Sequence, residues 1–390
     1  MNENKKTHAP LFSIIKRDDL PLYKSIIIRV LAFIITFILA MFICYATVSK
    51  KSDDGYIKMM STFFTGATNR PWKLAMDVCL LLSFAIAIVP AFKMKYWNMG
   101  ANGQVLMGAL ISIILMYYLN DFASKSTFNN ILLILLMLVS SIAVSILWAV
   151  IPAIFKVYFN TNETLFTLMM NYVASGIVGY VNYILAKGKE ESPGIINLTS
   201  KSGWLPTIVD KYFIAIVIII LITVFVYFYM KKTKHGYEIS VVGDSINTAK
   251  YVGMNTKKII IRTLCLSGGI CGIIGFIYAS SINHSISANT CGSLGFTGVL
   301  VAWLANFSPI IIAGISFVLV FLSSGTSKIS SVYKLGNNDI SNVIIGLLFF
   351  SVLICEFFIR FKLKLNSQST LYKLFFGELL NGKKGGEGQC

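Results

Sequence analysis

Charge is scarce in this chain. Only 13% of its 390 residues are Asp, Glu, Lys or Arg, about half the share usual in soluble domains. A water-facing globular surface cannot be built from so few, which excludes an ordinary soluble fold. Histidine is scarcer still: His8, His235 and His284 are the three, and no HExxH or Cys/His metal-ligand spacing accompanies them. Seven cysteines form no framework. Cys44, Cys79, Cys265, Cys271 and Cys355 fall in apolar runs, where a thiol acts as a small hydrophobe; Cys291 falls in a short loop and Cys390 ends the sequence. There is no GxxxxGK[ST] loop, no nucleophile elbow and no pair of intramembrane carboxylates, so neither ATP hydrolysis nor another catalytic constellation is expected of the chain itself. No cofactor, metal or catalytic residue is expected.

Apolar residues supply what charge does not. They make up 56% of the chain, with 28 Phe and 18 Tyr and a mean hydropathy of +0.72, as in a lipid-facing protein with aromatic belts. The net charge of +17 is explained by basic loops on the cytoplasmic side. No basic segment carries the interleaved aromatics of a single-strand binder, so nucleic acid is not an expected partner. The fold class expected is an all-α polytopic transmembrane bundle. A bilayer core takes about 20 apolar residues as helix, which predicts ten spans: 25–46, 72–92, 100–119, 130–152, 164–185, 211–230, 258–279, 295–305, 308–325 and 340–360. With both termini cytoplasmic, inner segments carry roughly 21 Lys and Arg and outer ones roughly 10; the outer loop 47–71 is a local exception. The domain reading is a tail over 1–24, a membrane domain over 25–362 with an inner loop at 231–258, and a second tail over 363–390. The first apolar run is too long for a signal-peptide core, so no cleavage is expected.

Polar groups at membrane depth are costly and face protein or water. In "YWNMGANGQVLMGAL" (96–110), Asn98, Asn102 and Gln104 stand beside glycines at the mouth of an apolar segment. They either line a path, at a re-entrant helix start, or cap the helix and tie it to a neighbour. In "NTNETLFTLMMNYVASG" (160–176), Thr161 or Asn162 can cap a helix with Glu163 in its first turn. Thr167 and Asn171 are four apart and share a face; for Asn171, interhelical bonding and solute contact both fit. "LSGGICGIIG" (266–275) carries small-xxx-small stripes and is assigned to helix packing. Residues 244–252 can form a short helix ended by Gly253.

Four segments in order resemble the permeases of ABC importers in the branched-chain amino acid, sugar and nucleoside group. "WNMGANGQVLMGAL" is similar to that family's Phe-Asn-Ile-Gly-Ala-Glu-Gly-Gln signature, and "NETLFTLMMNYVA" to its Asn-Glu-Val-Ile-x-Thr-Leu-Met-Leu-Asn-Tyr stretch. "LGFTGVLVAWLANFSPI" resembles Gly-Phe-x-Gly-Ile-Ala-Val-Ala-Leu-Leu-Gly-x-x-x-Pro. In "VVGDSINTAKYVGMNTKK", Gly243, Asn247, Thr248, Ala249 and Gly253 fall on the coupling-segment pattern, with Thr248 for an alanine. Asn102 stands where the family has Glu, and Asn306 near a usual Gly. The form Gly-Ala-Asn-Gly-Gln is closest to the nucleoside permeases served by a basic-membrane-type lipoprotein. The resemblance implies a type II importer-like permease in the cell membrane, without an ATPase site of its own. It implies an ABC ATPase, a second permease (a related chain or another copy) and an extracytoplasmic binding lipoprotein as partners. It places Gly243, Asp244, Asn247, Ala249 and Gly253 at the ATPase coupling segment and Asn98, Asn102, Gln104, Thr167 and Asn171 on the solute path. The expected cargo is a nucleoside; a simple sugar or branched-chain amino acid is the nearest alternative. An ion-coupled transporter, which would need an intramembrane acid such as Asp77, and a membrane-embedded enzyme stand further off.

Overall fold

A computed structural model describes residues 12–16, 55–186, 194–334 and 361–365, with scattered positions at 27–46 and 343–357. Seven of its helices are long and apolar enough to cross a membrane. In chain order its main helices are α1 (Tyr56–Thr68), α2 (Pro71–Lys93), α3 (Ala101–Tyr118), α4 (Thr127–Phe159), α5 (Glu163–Leu185), α6 (Phe213–Lys232), α7 (Lys234–Asp244), α8 (Ile246–Tyr251), α9 (Thr256–Ile277), α10 (Leu294–Leu304) and α11 (Pro309–Val332). A one-turn helix, Asn120–Ala123, follows α3. A π-helical turn over Tyr278–Ile282 extends α9.

The helix boundaries follow from local chemistry. Pro71 starts α2 where no amide hydrogen is needed. Ser126 caps α4 by accepting from Phe128 N, and Asn160 ends it in the left-handed region at φ 51°. The α5 cap is Asn162, whose Oδ1 accepts from Thr164 N and Leu165 N. Glu163 then occupies the first turn and pairs with Lys156 at 2.8 Å.

Within residues 60–329 the core centres on α9. A Cβ on Gly268 would lie 2.6 Å from Ala149 Cβ, and one on Gly272 2.7 Å from Ile142 Cα, so α4 and α9 meet backbone to backbone. Three contacts define one end of this bundle, called lower here. Gly243 of α7 lies against Lys93 O at the end of α2; Lys257 sits over the Tyr158 ring at 5.0 Å; and Lys156 meets Glu163. At the upper end, residues 194–212 cap helix termini that would otherwise leave groups unpaired. Asn197 Nδ2 donates to Met116 O, Gly203 N to Asn130 Oδ1 and Leu205 N to Ser280 O.

Several expectations change. The predicted span 295–305 is the 11-residue α10, ~16 Å long and so about half of a ~30 Å hydrocarbon core. The predicted outer loop 47–71 contains α1, which buries Phe63 against Gly325 and Phe321 of α11. Residues 244–252 are not one helix: Ser245 ends α7 and caps α8, accepting from Thr248 N at 3.2 Å. A serine here offers its hydroxyl to the next helix and breaks the first. Cys291 does lie in a loop, the turn before α10, and is buried there. The all-α expectation gains one exception, because Phe12–Lys16 and Phe361–Leu365 pair as antiparallel strands. The predicted spans 25–46 and 340–360, and most of both tails, lie outside the described residues.

The upper cap carries a pH-sensitive contact. Trp204 stacks on His284 with centroids 3.6 Å apart and planes 7° from parallel. Burial, and to a lesser degree Lys211, pull the His284 pKa down from 6.5 to about 4. The folded cap therefore favours neutral imidazole. Its contribution is complete above about 6.5 and is lost as pH falls toward about 4. Because the folded imidazole takes up its proton only near pH 4, Trp204 emission should shift there and stay flat in His284→Gln; an identical shift in the variant would place the titration elsewhere.

Candidate functional site

Two segments of non-helical backbone enter the bundle from opposite ends and meet inside it. The first follows α2. After Lys93 the chain turns back into the protein, with Lys95 at φ 59°, and brings Asn98 to a fully buried position. Asn98 Nδ2 donates to Ser267 Oγ at 3.3 Å, and Ser267 Oγ donates to Ala87 O at 2.7 Å. Ala87 lies ~9 Å above the lower end of α2 and Ser267 ~16 Å above that of α9, so the segment climbs well into the bundle. Asn98 Oδ1 accepts from Gly100 N and from Gln104 Nε2. Gln104 is itself buried; its backbone O accepts from Ser145 Oγ at 2.7 Å, and its Oε1 has no partner.

Helix α5 supplies the outer wall of this loop. Thr167 Oγ1 accepts from Met99 N at 3.1 Å. One turn on, Asn171 Oδ1 accepts from Gly103 N and its Nδ2 donates to Met99 O, both at 2.8 Å. A Cβ on Gly103 would fall 2.8 Å from Asn171 Oδ1. That glycine is what lets the carboxamide reach the backbone.

The second segment, residues 283–293, comes from the upper end. Asn182 Nδ2 holds Ile286 O at 2.7 Å. The chain then descends to Gly292 and starts α10 inside the bundle. Asn102 grips this junction from the first segment: its Nδ2 donates to Gly292 O at 3.1 Å and its Oδ1 accepts from Gly295 N at 2.9 Å. A side chain on Gly295 would collide with the Asn102 carboxamide. Helix α10 runs down past Phe84 and Ala85. At the lower end, Phe307 comes within 6.3 Å of the Phe92 ring. Asn306 and Phe307 both take left-handed backbone there, and Pro309 opens α11 as expected. Residues 286–304 thus cross in two halves, one irregular and one helical. Irregular backbone at that depth is stable only when protein or water surrounds it.

All five residues expected on the path therefore converge on residues 98–104 and the α10 start. Asn98, Asn102, Thr167 and Asn171 hold backbone directly, and Gln104 braces the Asn98 side chain. Ser267, Ser145 and Ser141 complete the network, the last donating to Gly272 O at 2.7 Å. As a sequence pattern, these serines and glycines point to packing alone. Asn102 makes a specific prediction. Its amide both donates and accepts, which a carboxylate cannot. Asn102→Asp sets an oxygen against Gly292 O and should cost about 1–3 kcal/mol, read as a lowered unfolding temperature in detergent.

The inner-loop residues form a second cluster at the lower end. Gly243 and Ala249 are buried, whereas Asp244 and Asn247 are exposed. Gly253 has φ 80° and open space around it. Lys95 Nζ reaches Asp244 O at 3.5 Å. Ile246, Tyr251 and Val252 show 50%, 93% and 67% of their surface, an apolar tip on an element anchored by its small residues. Beside it, Glu238 accepts from Arg262 at 2.6 Å and meets His235 Nδ1 at 3.4 Å. The Arg262 hydrogen bond holds the Glu238 carboxyl below the ordinary carboxylate range. Among the described residues no group of His, Cys, Asp and Glu could hold a metal ion.

These features define a multi-pass helical membrane protein with a broken crossing at its centre. Residues 71–353 match the family model for the branched-chain amino acid transport system / permease component, and the chain belongs to that family. It is 21% identical to the uncharacterized protein MG120 of Mycoplasma genitalium over 367 residues, covering 87% of this chain and 65% of the relative. The guanosine ABC transporter permease protein NupP of Bacillus subtilis is 25% identical over 226 residues, 57% of this chain and 63% of that one. The nucleoside ABC transporter permease protein NupB of Lactococcus lactis is 25% identical over 253 residues, 62% and 66%. The matched part spans just under two thirds of the length of each of these relatives. No solved structure matches the chain.

Proposed function

We propose that this chain is the membrane-spanning permease subunit of an ABC importer that brings a nucleoside into the cytoplasm. ATP is hydrolysed by a partner ATPase docked on α7 and α8; a second permease and an external binding lipoprotein complete the system. The observation that carries this reading is a short mechanical link. Gly243 of α7 rests on the carbonyl of Lys93, and Lys93 leads within five residues to the buried Asn98. A displacement of α7 is thus passed directly to the re-entrant loop. Transmission of this kind requires that the ATPase states differ in their binding of the tip formed by Ile246, Tyr251 and Val252.

An uncharged nucleoside suits a route bordered by carboxamides and hydroxyls, which offer donors and acceptors without fixed charge. The relatives that carry nucleosides or guanosine in their names support that cargo. In this reading the lower end is cytoplasmic, as the basic loops require. The chain makes ten crossings, with 286–304 counted once and α1 not counted. Pairing of Phe12–Lys16 with Phe361–Leu365 keeps the two tails on one side and so supports an even number.

Uptake of labelled guanosine by cells carrying the whole system tests it. Uptake should survive an ionophore, stop on ATP depletion, and be displaced by unlabelled nucleosides but not by ribose or leucine. Displacement by ribose or leucine would reassign the cargo. Solute accumulation by the chain alone in liposomes, without an ATPase, would overturn the class.

A further inference from the structure

An apolar groove of about 410 Å³ opens on the bundle between α4, α6 and α9. Ile222, Phe225 and Tyr229 of α6 form one wall and Ile142 and Ile146 of α4 the other, with Gly269 on the α9 face between them. Its α9 lining runs from Arg262 to Ile273, ~16 Å at helical rise, which is the depth of one leaflet of a ~30 Å core.

Gly269 differs from its neighbours in the glycine stripe. Gly268 and Gly272 are forced by close backbone contact, whereas a Cβ on Gly269 would meet only Ile146 and Ile142 side-chain carbons at 3.6–3.8 Å. Helix packing does not require glycine there; its missing side chain keeps the groove open.

The lower mouth is cationic. Lys232 continues the Ile222–Phe225–Tyr229 stripe, and Lys258 lies one turn below Arg262 on the same face of α9. Both lysines are exposed. Arg262 gives one terminal nitrogen to Glu238, and its Nε is buried without a partner. Residues 231–262 hold seven Lys and Arg against two acids. A zwitterionic headgroup gains less from this rim than an anionic one, because its own cation faces the lysines, and a free anion gains nothing from the apolar groove. We infer that the groove binds one anionic phospholipid of the adjacent leaflet, an acyl chain over Gly269 and the phosphate at Lys232, Lys258 and Arg262.

Native mass spectrometry of the detergent-purified full chain, titrated with phosphatidylglycerol or phosphatidylcholine, tests this. The expected result is one retained phosphatidylglycerol per chain, preferred over phosphatidylcholine by roughly tenfold. Gly269→Leu should lose that lipid. The Lys232→Gln/Lys258→Gln pair should keep lipid binding but lose the headgroup preference. A bilayer measurement guards against misfolding of Gly269→Leu. In Ile146→Trp, the added fluorescence should be quenched more by brominated-chain phosphatidylglycerol than by brominated phosphatidylcholine. Equal retention of both lipids by all variants, or equal quenching, overturns the inference. So does a dimer of this chain that Gly269→Leu dissociates, which would give the groove to a second copy.

Discussion

Asn98→Leu should produce a chain that inserts poorly and carries no solute. Leucine has as many side-chain heavy atoms as asparagine but is bulkier, so the loss would come from broken hydrogen bonds and some overpacking, not from a cavity. In the native protein Asn98 Oδ1 accepts two donors, Gly100 N and Gln104 Nε2, in a fully buried setting. Removing that acceptor orphans both. Gln104 has no spare bond, because its Oε1 is already without a partner. Each buried orphan costs about 1–3 kcal/mol, and the two together are a large fraction of a stability that is typically about 5–15 kcal/mol. Ser267 fares better, since it still donates to Ala87 O. Ser267→Ala should therefore cost less than Asn98→Leu, as it leaves the two donors on Asn98 Oδ1 untouched. Unfolding temperature in detergent ranks the two variants, and guanosine uptake per correctly inserted chain separates function from yield. A wild-type unfolding temperature for Asn98→Leu would remove Asn98 from the centre of the re-entrant loop.

A loss of stability would support the second of the two readings that residues 96–110 leave open as a sequence, a helix start tied to its neighbours. Carboxamides beside glycines announce that backbone and side chain will meet closely, and the spacing of Thr167 and Asn171 puts them on one face of α5. Those features are legible because they are local. Their partners are not. Ser267 lies 169 residues along the chain from Asn98, and nothing in "LSGGICGIIG" separates a serine that packs from one that bonds to a loop. The half-length of α10 is concealed for a similar reason. Its sequence is apolar from Leu294 onward, and only Asn102, far earlier in the chain, shows that Gly295 begins a helix within the bundle. Helix α1 escapes a sequence reading because its buried face depends on Gly325 accepting the Phe63 ring, a fit between distant positions that periodicity cannot register. The break at Ser245 is nearer to hand. Serine is a preferred helix N-cap, yet the expected helix 244–252 starts one residue before Ser245 and not after it.

Gly243→Val should abolish uptake, whereas Gly253→Ala should leave most of it. Both glycines belong to the coupling-segment pattern, and the resemblance alone treats them alike; their surroundings do not. A Cβ at Gly243 would collide with the backbone carbonyl of Lys93, which cannot swing aside as a flexible side chain would. Helix α7 must then lift from the end of α2, and the contact that passes its motion to residues 94–98 is lost. Overpacking of this kind costs about 1–3 kcal/mol or more. A methyl on Gly253 would meet no atom within 4 Å, so the constraint there is φ 80° alone. Alanine at that position meets left-handed backbone strain of about 1–2 kcal/mol, confined to the end of an exposed one-turn helix. Ala249, fully buried, should behave like Gly243 when enlarged to leucine. The informative readout is ATP hydrolysis stimulated by the loaded binding protein, measured with the assembled complex. Gly243→Val should assemble, hydrolyse ATP and fail to couple it to uptake. If uptake persists in Gly243→Val, motion reaches the solute route by some contact other than the seat of α7 on Lys93.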